Sequence, residues 1–574
     1  MEGGLEAVVV GTGFGGAIAA CRLSKRWPGK VLVLERGKRY PMGSFPRSPR
    51  DFSRNFWNLC DEKRERPAAM QDQEQHGLFD IRNFQRMDAV VAAGLGGGSL
   101  IYANVFLEPP EHVFDERWPA SCKKATLAYY YGVAKEVLGS RPVPLTGDPR
   151  RKIVRTELFQ EVAREMGRES RLVDINVFFG DPGQPPLPIG QQARNRYGAL
   201  QTSCVYCAEC DVGCNTHSKN TLDLNYLHVA ETRYQADVRT EHLVERIVPV
   251  NERGEDDPAA DGSRGYRVSF ADLGGNGRTR RQVWTRRVLV CAGTLGSTEL
   301  LLRARDLDHT LPRVSPKLGQ QFSGNGDFLS FVFKGRRAAD PNYGPVITQR
   351  TDFNLFEDFD RERAFILEDA SYPSFAAWFS EAIQPGPFWL KPIWHSIRDT
   401  AAQLFGGKSA GRVGIAFSDL IGDADISYKT SVLLCMGLDR SNGRMFLGQD
   451  GHIDVDWPRD DNRALYDAIL AAGERFKEKV GAEAFFALPN WWRPFRRNVT
   501  VHALGGCALG DSEGAGVTSA APETFGQVFG YTGLYVSDGS MVPTAVGANP
   551  TATIAALGER VAEGITGLRP DAEL

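Results

Sequence analysis

The sequence has little that would tie it to a membrane or to nucleic acid. No apolar run approaches the roughly 18 residues that a membrane span needs, and no cationic leader precedes the first strand pattern. The 68 lysines and arginines against 71 aspartates and glutamates leave a net charge of −3, without a basic stripe. We expect a cytoplasmic protein with no nucleic-acid partner.

Cysteine and histidine are also scarce, and no internal repeat or low-complexity tract occurs. The 574 residues include ten cysteines and nine histidines, and 42% of the residues are hydrophobic. This composition excludes disordered and fibrous classes. The cysteines of a cytoplasmic protein stay reduced, so they do not indicate a disulfide framework. A large globular protein remains, with its glycines concentrated in a few motifs.

A dinucleotide-binding βαβ unit lies near the N-terminus. An apolar strand pattern at 5–10 is followed by Gly11-Thr-Gly-Phe-Gly-Gly16, a helical pattern, and a second apolar strand at 31–34 that ends at Glu35. Such glycines let the backbone approach a pyrophosphate at the helix N-terminus. A carboxylate in the position of Glu35 accepts from a ribose hydroxyl. The motif predicts a dinucleotide without distinguishing NAD from FAD.

A second helix start near the C-terminus favours FAD. A strand pattern runs into Asp538, and Asn549-Pro550-Thr551 begins a helical pattern with Asn549 as the expected N-cap and Pro550 as the first helical residue. A cofactor contacted from both ends of the chain suggests an extended molecule, whose reduced form this helix dipole would stabilise. The alternative is ordinary helix capping without a ligand.

Two further glycine-rich stretches occur at 93–100 and around His502, which is followed by Gly505 and Gly506. Taken together, the motifs resemble those of the glucose-methanol-choline (GMC) oxidoreductase family, and within it the cholesterol-oxidase-like branch. The resemblance covers most of the chain in order, in the segments GTGFGG, AAGLGGGSLIYANVF, KNTLDLNYLHVAE, VLVCAGTLGSTELLLRAR, SGNGDF, VHALGGCALG and GLYVSDGSMVPTAVGANPTATIAALGER.

The resemblance implies an α/β fold in which a Rossmann-type FAD-binding domain is interleaved with an α+β substrate domain built on a large mixed sheet. The FAD-binding domain is expected from residues 1–45, 85–110, 215–310 and 495–574. The substrate domain is expected from residues 46–84, 111–214 and 311–494, with a cysteine-rich segment at 204–214.

The resemblance also implies oxidation of an alcohol. His502, or a water that it holds, takes the hydroxyl proton, the carbinol hydride passes to flavin N5, and Asn549 orients the hydroxyl. Oxygen or an external acceptor then takes the electrons. The implied FAD-binding residues are Gly11, Gly13, Phe14, Gly15, Gly16, Glu35, Arg36, Gly97, Gly98, Ser99, Asn104, Val244, Ala292, Gly293, Asp538, Gly539, Asn549, Pro550 and Thr551.

The sequence departs from the family pattern at three places. Ala503 replaces the usual proline after the histidine, and Tyr102-Ala-Asn104 stands where sterol oxidases tend to have Asn-Gly-Gly. Sterol oxidases also use a glutamate to isomerise the steroid double bond. Our alignment puts Ala376 at that position, with Glu368 and Asp369 nearby but shifted. It therefore predicts no isomerase activity.

Four of the cysteines form a cluster with possible metal-binding spacing. Cys204, Cys207, Cys210 and Cys214 follow the C-x2-C-x2-C-x3-C pattern of ferredoxins. Zinc sites more often join two widely separated knuckles, so iron-sulfur ranks above zinc. A metal-free thiol or disulfide knot is an equally weighted alternative. Some GMC-type sugar dehydrogenases carry an iron-sulfur cluster at a similar place, which would imply an electron relay and favour a dehydrogenase.

Aromatic residues and prolines are dense in residues 375–405. At the surface, this segment would form a lipophilic lip that contacts a membrane transiently or an apolar substrate. The alternative is ordinary core. The interpretation as a lipophilic lip favours a sterol-like or long-chain alcohol as substrate over a sugar, because a sugar site needs many polar contacts.

Three functional hypotheses follow. The first is an FAD-dependent oxidoreductase, a flavoprotein that oxidises the CH–OH group of a hydrophobic alcohol. The second keeps the fold but changes the reaction to that of a sugar or polyol dehydrogenase with an iron-sulfur relay, a lyase or a decarboxylase. The third is an electron-transfer or metal-binding module with a vestigial flavin site, against which the intact glycine motifs argue.

Overall fold

The computed structural model describes residues 4–58, 75–275, 278–374, 425–487 and 497–574. The aromatic segment at 375–405 and Ala376 lie outside these ranges. The helices described are α1 (Phe14–Arg26), α2 (Pro49–Ser53), α3 (Lys124–Val137), α4 (Val154–Glu165), α5 (Tyr226–Thr232), α6 (Gly293–Leu302), α7 (Asp425–Tyr428), α8 (Arg463–Val480) and α9 (Thr551–Thr566).

The strands follow in chain order. They are β1 (Ala7–Val10), β2 (Val31–Leu34), β3 (Trp57–Asn58), β4 (Gln75–His76), β5 (Phe79–Asn83), β6 (Met87–Ala92), β7 (Val105–Phe106), β8 (Ser170–Leu172), β9 (Asp174–Ile175), β10 (Gln192–Arg194), β11 (Leu200–Thr202), β12 (Asp237–Arg239), β13 (His242–Pro249), β14 (Tyr266–Asp272), β15 (Thr279–Thr285), β16 (Val288–Val290), β17 (Phe328–Phe333), β18 (Gln349–Phe353), β19 (Phe365–Ala370), β20 (Ser431–Gly437), β21 (Arg444–Leu447), β22 (Ile453–Asp456), β23 (Ala484–Ala487), β24 (Asn498–Thr500), β25 (Leu509–Gly510), β26 (Thr518–Ser519) and β27 (Leu534–Val536).

A five-stranded parallel sheet with the order β12-β2-β1-β16-β27 forms the centre of the first half of the fold. β1 and β2 are continuous apolar runs, as expected for parallel strands that are covered on both faces. Val9 packs with α1 and α9 on one face, whereas Val8 packs with Val268 and Phe270 of the antiparallel β13-β14-β15 sheet on the other. The βαβ unit predicted from sequence is confirmed as β1, α1 and β2.

Helices from the two ends of the chain pack directly on each other. A Cβ atom on Gly558 of α9 would lie 3.3 Å from Cα of Gly15 in α1. Arg22 and Glu559 form a buried ion pair at 2.8 Å, and the Tyr226 hydroxyl donates to the same carboxylate at 2.7 Å. This contact holds the C-terminal helix against the dinucleotide-binding unit.

The second large sheet has the order β23-β17-β20-β19-β18-β8. α4 and α8 pack on one of its faces, where they meet Phe365 and Leu367. Because side chains alternate along β19, Glu368 lies on the opposite face. We expected a mixed sheet, but the described strand pairs are all antiparallel. β18 and β19 reverse direction through a connection at 354–364, so no crossover helix intervenes.

Among the described helices, none has the length and apolar character to cross a membrane. The cytoplasmic location stays a prediction.

Candidate active site

The first glycine motif leaves open space where a phosphate would approach. A Cβ atom on Gly15 would lie 1.7 Å from the Ser537 carbonyl oxygen, and one on Gly16 would lie 2.2 Å from that of Gly11. These two glycines are therefore required for packing α1 onto the strands. At Gly13, by contrast, a Cβ atom would meet nothing within 4 Å. The N–H groups at the start of α1 border this space, which suits an anion.

Glu35 is buried at the end of β2, beside this loop. Its Oε2 accepts from the Thr12 N–H at 3.0 Å and the Thr12 hydroxyl at 2.5 Å, and its Oε1 accepts from the Gly37 N–H at 2.8 Å. Burial raises the pKa of Glu35. A carboxylate offers about four acceptor positions, so Glu35 can also accept from a ribose hydroxyl. Arg36 contacts Asp80 at 2.7 Å instead.

The second glycine motif packs against the first. Gly97 begins a short 3-10 turn, and a Cβ atom there would lie 2.7 Å from Cα of Gly13. A Cβ atom on the next residue, Gly98, would meet nothing within 4 Å. Ser99 is used structurally, because its hydroxyl donates to the Gly96 carbonyl at 2.7 Å. The two motifs thus form one backbone cradle with open space at Gly13 and Gly98.

Asn104 carries a fully buried amide without a hydrogen-bond partner. Its φ angle is +72°, and neither Nδ2 nor Oδ1 has a partner within the described part of the chain. Leaving a buried polar group unsatisfied costs about 1–3 kcal/mol. The polar edge of an isoalloxazine ring would satisfy it. Together with the open glycine cradle, this amide shows that the residues present fit FAD.

Lys219, which sequence reasoning did not single out, supports the segment before Asn104. Its buried Nζ donates to the carbonyl oxygens of Leu100 at 3.1 Å, Tyr102 at 2.8 Å and Cys210 at 2.9 Å. Burial lowers the pKa of Lys219 to about 8. The lysine thus joins the segment that ends at Asn104 to the cysteine-rich segment.

Asp538 bonds to the predicted cofactor residue Gly293 and to Ser540. Its Oδ2 accepts from the Gly293 N–H at 2.9 Å, and its Oδ1 accepts from the Ser540 N–H at 2.9 Å. The Gly539 carbonyl accepts from the Gly505 N–H at 3.1 Å, which ties this turn to the His502 segment. Ala292 immediately precedes α6. Val244 lies on β13, in the core that covers β2.

His502 forms a hydrogen bond with Asp327 that sequence reasoning missed. The His502 Nδ1 and Asp327 Oδ1 atoms are 2.7 Å apart. Asp327 Oδ2 accepts from the Val501 N–H at 2.9 Å and from the Thr500 hydroxyl at 3.0 Å. Because a carboxylate only accepts, Nδ1 carries the hydrogen and Nε2 is left as the basic nitrogen. The His502 side chain is 15% exposed, so the ring is partly accessible.

Asn549 lies beside a second carboxyl group. Its Nδ2 donates to Glu368 Oε2 at 3.4 Å, while Asn549 Oδ1 and Glu368 Oε1 have no partners within the described residues. Burial, and then the charges of Asp369 and Asp327, raise the pKa of Glu368 to about 8. Asp327 directly precedes Phe328, which pairs with Cys435, and Cys435 pairs in turn with Leu367, next to Glu368. Glu368, which the alignment had set aside, lies at the candidate site.

The start of α9 differs from the expected cap. The helix begins at Thr551, and Pro550 precedes it with a φ angle of −76°. Pro550 is therefore the N-cap, and Asn549, which we expected there, lies one residue earlier. Its amide points to Glu368 and not to the backbone N–H groups of the helix.

The four clustered cysteines line one cavity of about 20 Å³. Cys207 is exposed, whereas Cys204 and Cys210 are buried, and all are free thiols. Burial raises the pKa of both buried thiols. Across the described ranges, no group of three or more His, Cys, Asp or Glu side chains is arranged to hold a metal ion. This geometry does not fit an iron-sulfur cluster, so that prediction has no structural support.

Solved structures with the same overall fold include a pyridoxine 4-oxidase from Mesorbium loti and a fungal aryl-alcohol oxidase. The first has a TM-score of 0.57 and 15% identity, covering 97% of this chain and 98% of the other. The second has a TM-score of 0.57 and 16% identity, covering 99% of each chain.

Curated relatives align along nearly the whole chain. A cholesterol oxidase of Acinetobacter baumannii is 27% identical over 97% of this chain and 93% of its own length. One of Mycobacterium tuberculosis is 27% identical over 98% and 91%. A long-chain-alcohol oxidase of Arabidopsis thaliana is 24% identical over 96% of this chain and 65% of its own.

Two family models described as GMC oxidoreductase match residues 5–305 and 440–558. The first match spans the glycine cradle and Glu35, and the second spans His502 and Asn549. The family predicted from sequence motifs is confirmed: the chain belongs to the GMC oxidoreductase family of FAD-dependent enzymes that act on alcohol groups.

Proposed function

We propose that this enzyme oxidises a hydrophobic alcohol, sterol-like or long-chain, to a carbonyl compound. The observation that carries the proposal is the hydrogen bond between His502 and Asp327, which leaves His502 Nε2 as a base. The position of Asp327 next to β17 supports the same site, because β17 and the Glu368 strand β19 both pair with β20, and Glu368 bonds to Asn549. Bound FAD would supply the hydride acceptor.

In this proposal, the protein residues handle the hydroxyl group. His502 Nε2 takes the hydroxyl proton, directly or through a water, and the Asp327 carboxylate stabilises the resulting imidazolium. Asn549 orients the hydroxyl oxygen, for which its Oδ1 and remaining N–H are available. The cofactor is held by the open backbone at Gly13 and Gly98, by Glu35 and Asn104, and by the other predicted residues. The two interleaved domains are part of the same proposal.

The surface around Glu368 supports an apolar substrate. On its face of the sheet, the cross-strand neighbour Leu434 is partly buried, and so is Leu329 opposite Leu434. Phe331 continues this row along β17. The row is apolar and begins beside Glu368, which bonds to Asn549. Such a surface suits a hydrocarbon skeleton better than a sugar. Cholesterol oxidases and a long-chain-alcohol oxidase among the relatives support the same class.

The oxidase relatives favour oxygen as the electron acceptor. In this proposal the cysteines carry no electrons, because their arrangement does not fit an iron-sulfur cluster. Transient contact with a membrane surface stays a prediction, since the aromatic segment at 375–405 lies outside the described residues.

The test is anaerobic reduction of the bound flavin by a panel of sterols, long-chain alcohols and sugars. We expect sterols or long-chain alcohols to bleach the flavin. His502→Ala should slow this step roughly 10²–10⁴-fold, whereas His309→Ala, at an exposed histidine, should leave it unchanged. Reduction by sugars alone, or an unaffected His502→Ala variant, would contradict the proposal.

The position of Glu368 supports a second candidate activity, isomerisation of a β,γ-double bond into conjugation with the new carbonyl. Once it is ionised, a carboxylate beside Asn549 can take a proton from the carbon next to the carbonyl and return it to the far carbon of the double bond, two positions away. With a pKa of about 8, Glu368 ionises as the pH rises. We expect the ultraviolet band of a conjugated enone to form faster at alkaline pH, and Glu368→Gln to abolish it. An unconjugated ketone as the sole product would exclude this activity.

A further inference from the structure

One buried turn, Ser323–Asp327, contacts the segments that carry both proposed catalytic residues. Its last residue, Asp327, bonds to His502. Two residues earlier, Asn325 Oδ1 accepts from the N–H groups of Val546 at 2.9 Å and Gly547 at 3.0 Å, and its Nδ2 donates to the Ala548 carbonyl at 2.8 Å. One amide therefore holds the three residues that lead into Asn549.

Asparagine is the residue type that this position requires. Asn325 has a φ angle of +53°, in the left-handed region where asparagine and glycine are tolerated. Its side chain is fully buried. An amide supplies an acceptor for two N–H groups and a donor for a carbonyl, whereas a carboxylate would only accept.

The turn itself is firmly anchored. The Ser323 hydroxyl donates to the buried carboxylate of Asp439 at 2.8 Å, and the Gly326 N–H donates to it at 3.1 Å. The Ser323 backbone also pairs with Leu504 in both directions, at 3.0 Å and 2.9 Å. Leu504 lies two residues after His502, so the turn is fixed relative to the histidine segment.

We propose that Asn325 is a positioning residue that sets the place of Asn549 relative to His502. The Ser323–Asp327 turn then holds the proton acceptor and the hydroxyl-orienting amide as one unit: Asp327 orients His502, and Asn325 shapes the loop that ends at Asn549. This inference rests on the proposed function, in which Asn549 orients the alcohol.

The experiment compares flavin reduction by an alcohol in variants of the full-length holoenzyme. Asn325→Gly removes the amide but accepts the positive φ angle. Asn354→Gly is the matched control, because Asn354 also has a positive φ angle, of +62°, and bonds locally to the Asp358 carbonyl. We expect Asn325→Gly to slow reduction roughly 10–100-fold and Asn354→Gly to have no effect. Asn325→Asp, which keeps the acceptors and loses the donor, should fall between them.

A double-mutant cycle separates positioning from a general structural role. If Asn325 acts through Asn549, the Asn325→Gly/Asn549→Ala double variant should be no slower than Asn549→Ala. Additive effects in the cycle, or an Asn325→Gly rate equal to that of Asn354→Gly, would overturn the inference. If Asn325→Gly fails to fold, the same cycle with Asn325→Asp decides the question.

Failure of the proposed function has a separate signature. In that case, the wild-type flavin is not reduced by any alcohol in the panel. Crystal structures of the wild-type and Asn325→Asp holoenzymes then test the positioning role alone. We expect Asn549 to shift relative to His502 in the variant, and an unchanged Asn549 would overturn the inference.

Discussion

His502 and Asp327 are joined by a 2.7 Å hydrogen bond between Nδ1 and Oδ1, and the same carboxylate accepts from the His502 backbone N–H at 3.2 Å. The carboxylate therefore fixes both the tautomer of the ring and its position. Asparagine in place of Asp327 would have a similar shape but would allow the opposite tautomer.

We expect Asp327→Asn to slow anaerobic flavin reduction by the alcohol substrate roughly 10²–10⁴-fold, because Nε2 would no longer be held as the base. Stopped-flow absorbance measures this rate. The control is Asp115→Asn, whose carboxylate pairs with Arg117 at 2.6 Å. A rate for Asp327→Asn within a small factor of the control would show that the pair does not activate His502.

Glu368 should make the folded protein less stable as the pH rises. Burial raises its pKa from 4.5 to about 8. Between these values, the folded protein keeps a proton that the unfolded chain has released, so the free energy of unfolding falls by up to about 1.4 kcal/mol per pH unit. Glu368→Gln removes this term.

The melting temperature of Glu368→Gln relative to the wild type should therefore rise steadily from pH 5 to pH 8. Differential scanning calorimetry of the holoenzyme measures it. Glu478→Gln, at an exposed position on α8, should follow the wild type throughout. A constant difference between Glu368→Gln and the wild type would mean that Glu368 is ionised in the folded protein.

Lys219→Met should weaken FAD binding. The substitution keeps most of the side-chain length but leaves the carbonyls of Leu100, Tyr102 and Cys210 without their shared donor. We expect a stability loss of about 3 kcal/mol and a lower flavin content after purification, since the segment before Asn104 loses its support. The exposed Lys38→Met is the control. Equal flavin content and melting temperature in the two variants would contradict this role.

Anaerobically purified protein should contain flavin without stoichiometric iron or acid-labile sulfide. The four cysteines share a cavity of about 20 Å³, which is room for roughly one water. Iron and sulfide analysis with a visible spectrum tests this directly. Brief alkylation followed by mass spectrometry should modify Cys207 before the buried Cys204 and Cys210. Stoichiometric iron, or equal protection of the four thiols, would show that a cluster forms.

The dinucleotide-binding fold could be predicted from the sequence because its signals are local. Gly11–Gly16 and Glu35 lie within one βαβ unit, and the structure forms that unit as expected. Asn549 and His502 stood out through short glycine-rich motifs. Their partners did not, because Asp327 lies 175 residues from His502 and Glu368 lies 181 residues from Asn549. The pairing of β17 and β19 with β20 brings these two carboxyl groups together, and no local sequence signal reports that pairing.

One expectation is wrong and one of the open alternatives has no support, each for a physical reason. We expected Asn549 to be the N-cap because asparagine is statistically preferred there. The helix instead begins after Pro550, and the Asn549 amide bonds to Glu368. Tertiary contact thus outweighed local propensity. The cysteine spacing matched a ferredoxin run, but spacing does not determine whether thiols converge on a common centre, and among the described residues they do not.

The five-stranded parallel sheet also constrains how the protein is made. β1 and β27 flank β16, yet roughly 520 residues separate them in the chain, so at about 5–20 residues per second a ribosome needs of order half a minute to two minutes between them. Throughout that time, the nascent βαβ unit is outside the ribosome without Asp538, α9 or a neighbour for the outer edge of β16. We therefore expect the complete FAD site to form only late in biosynthesis.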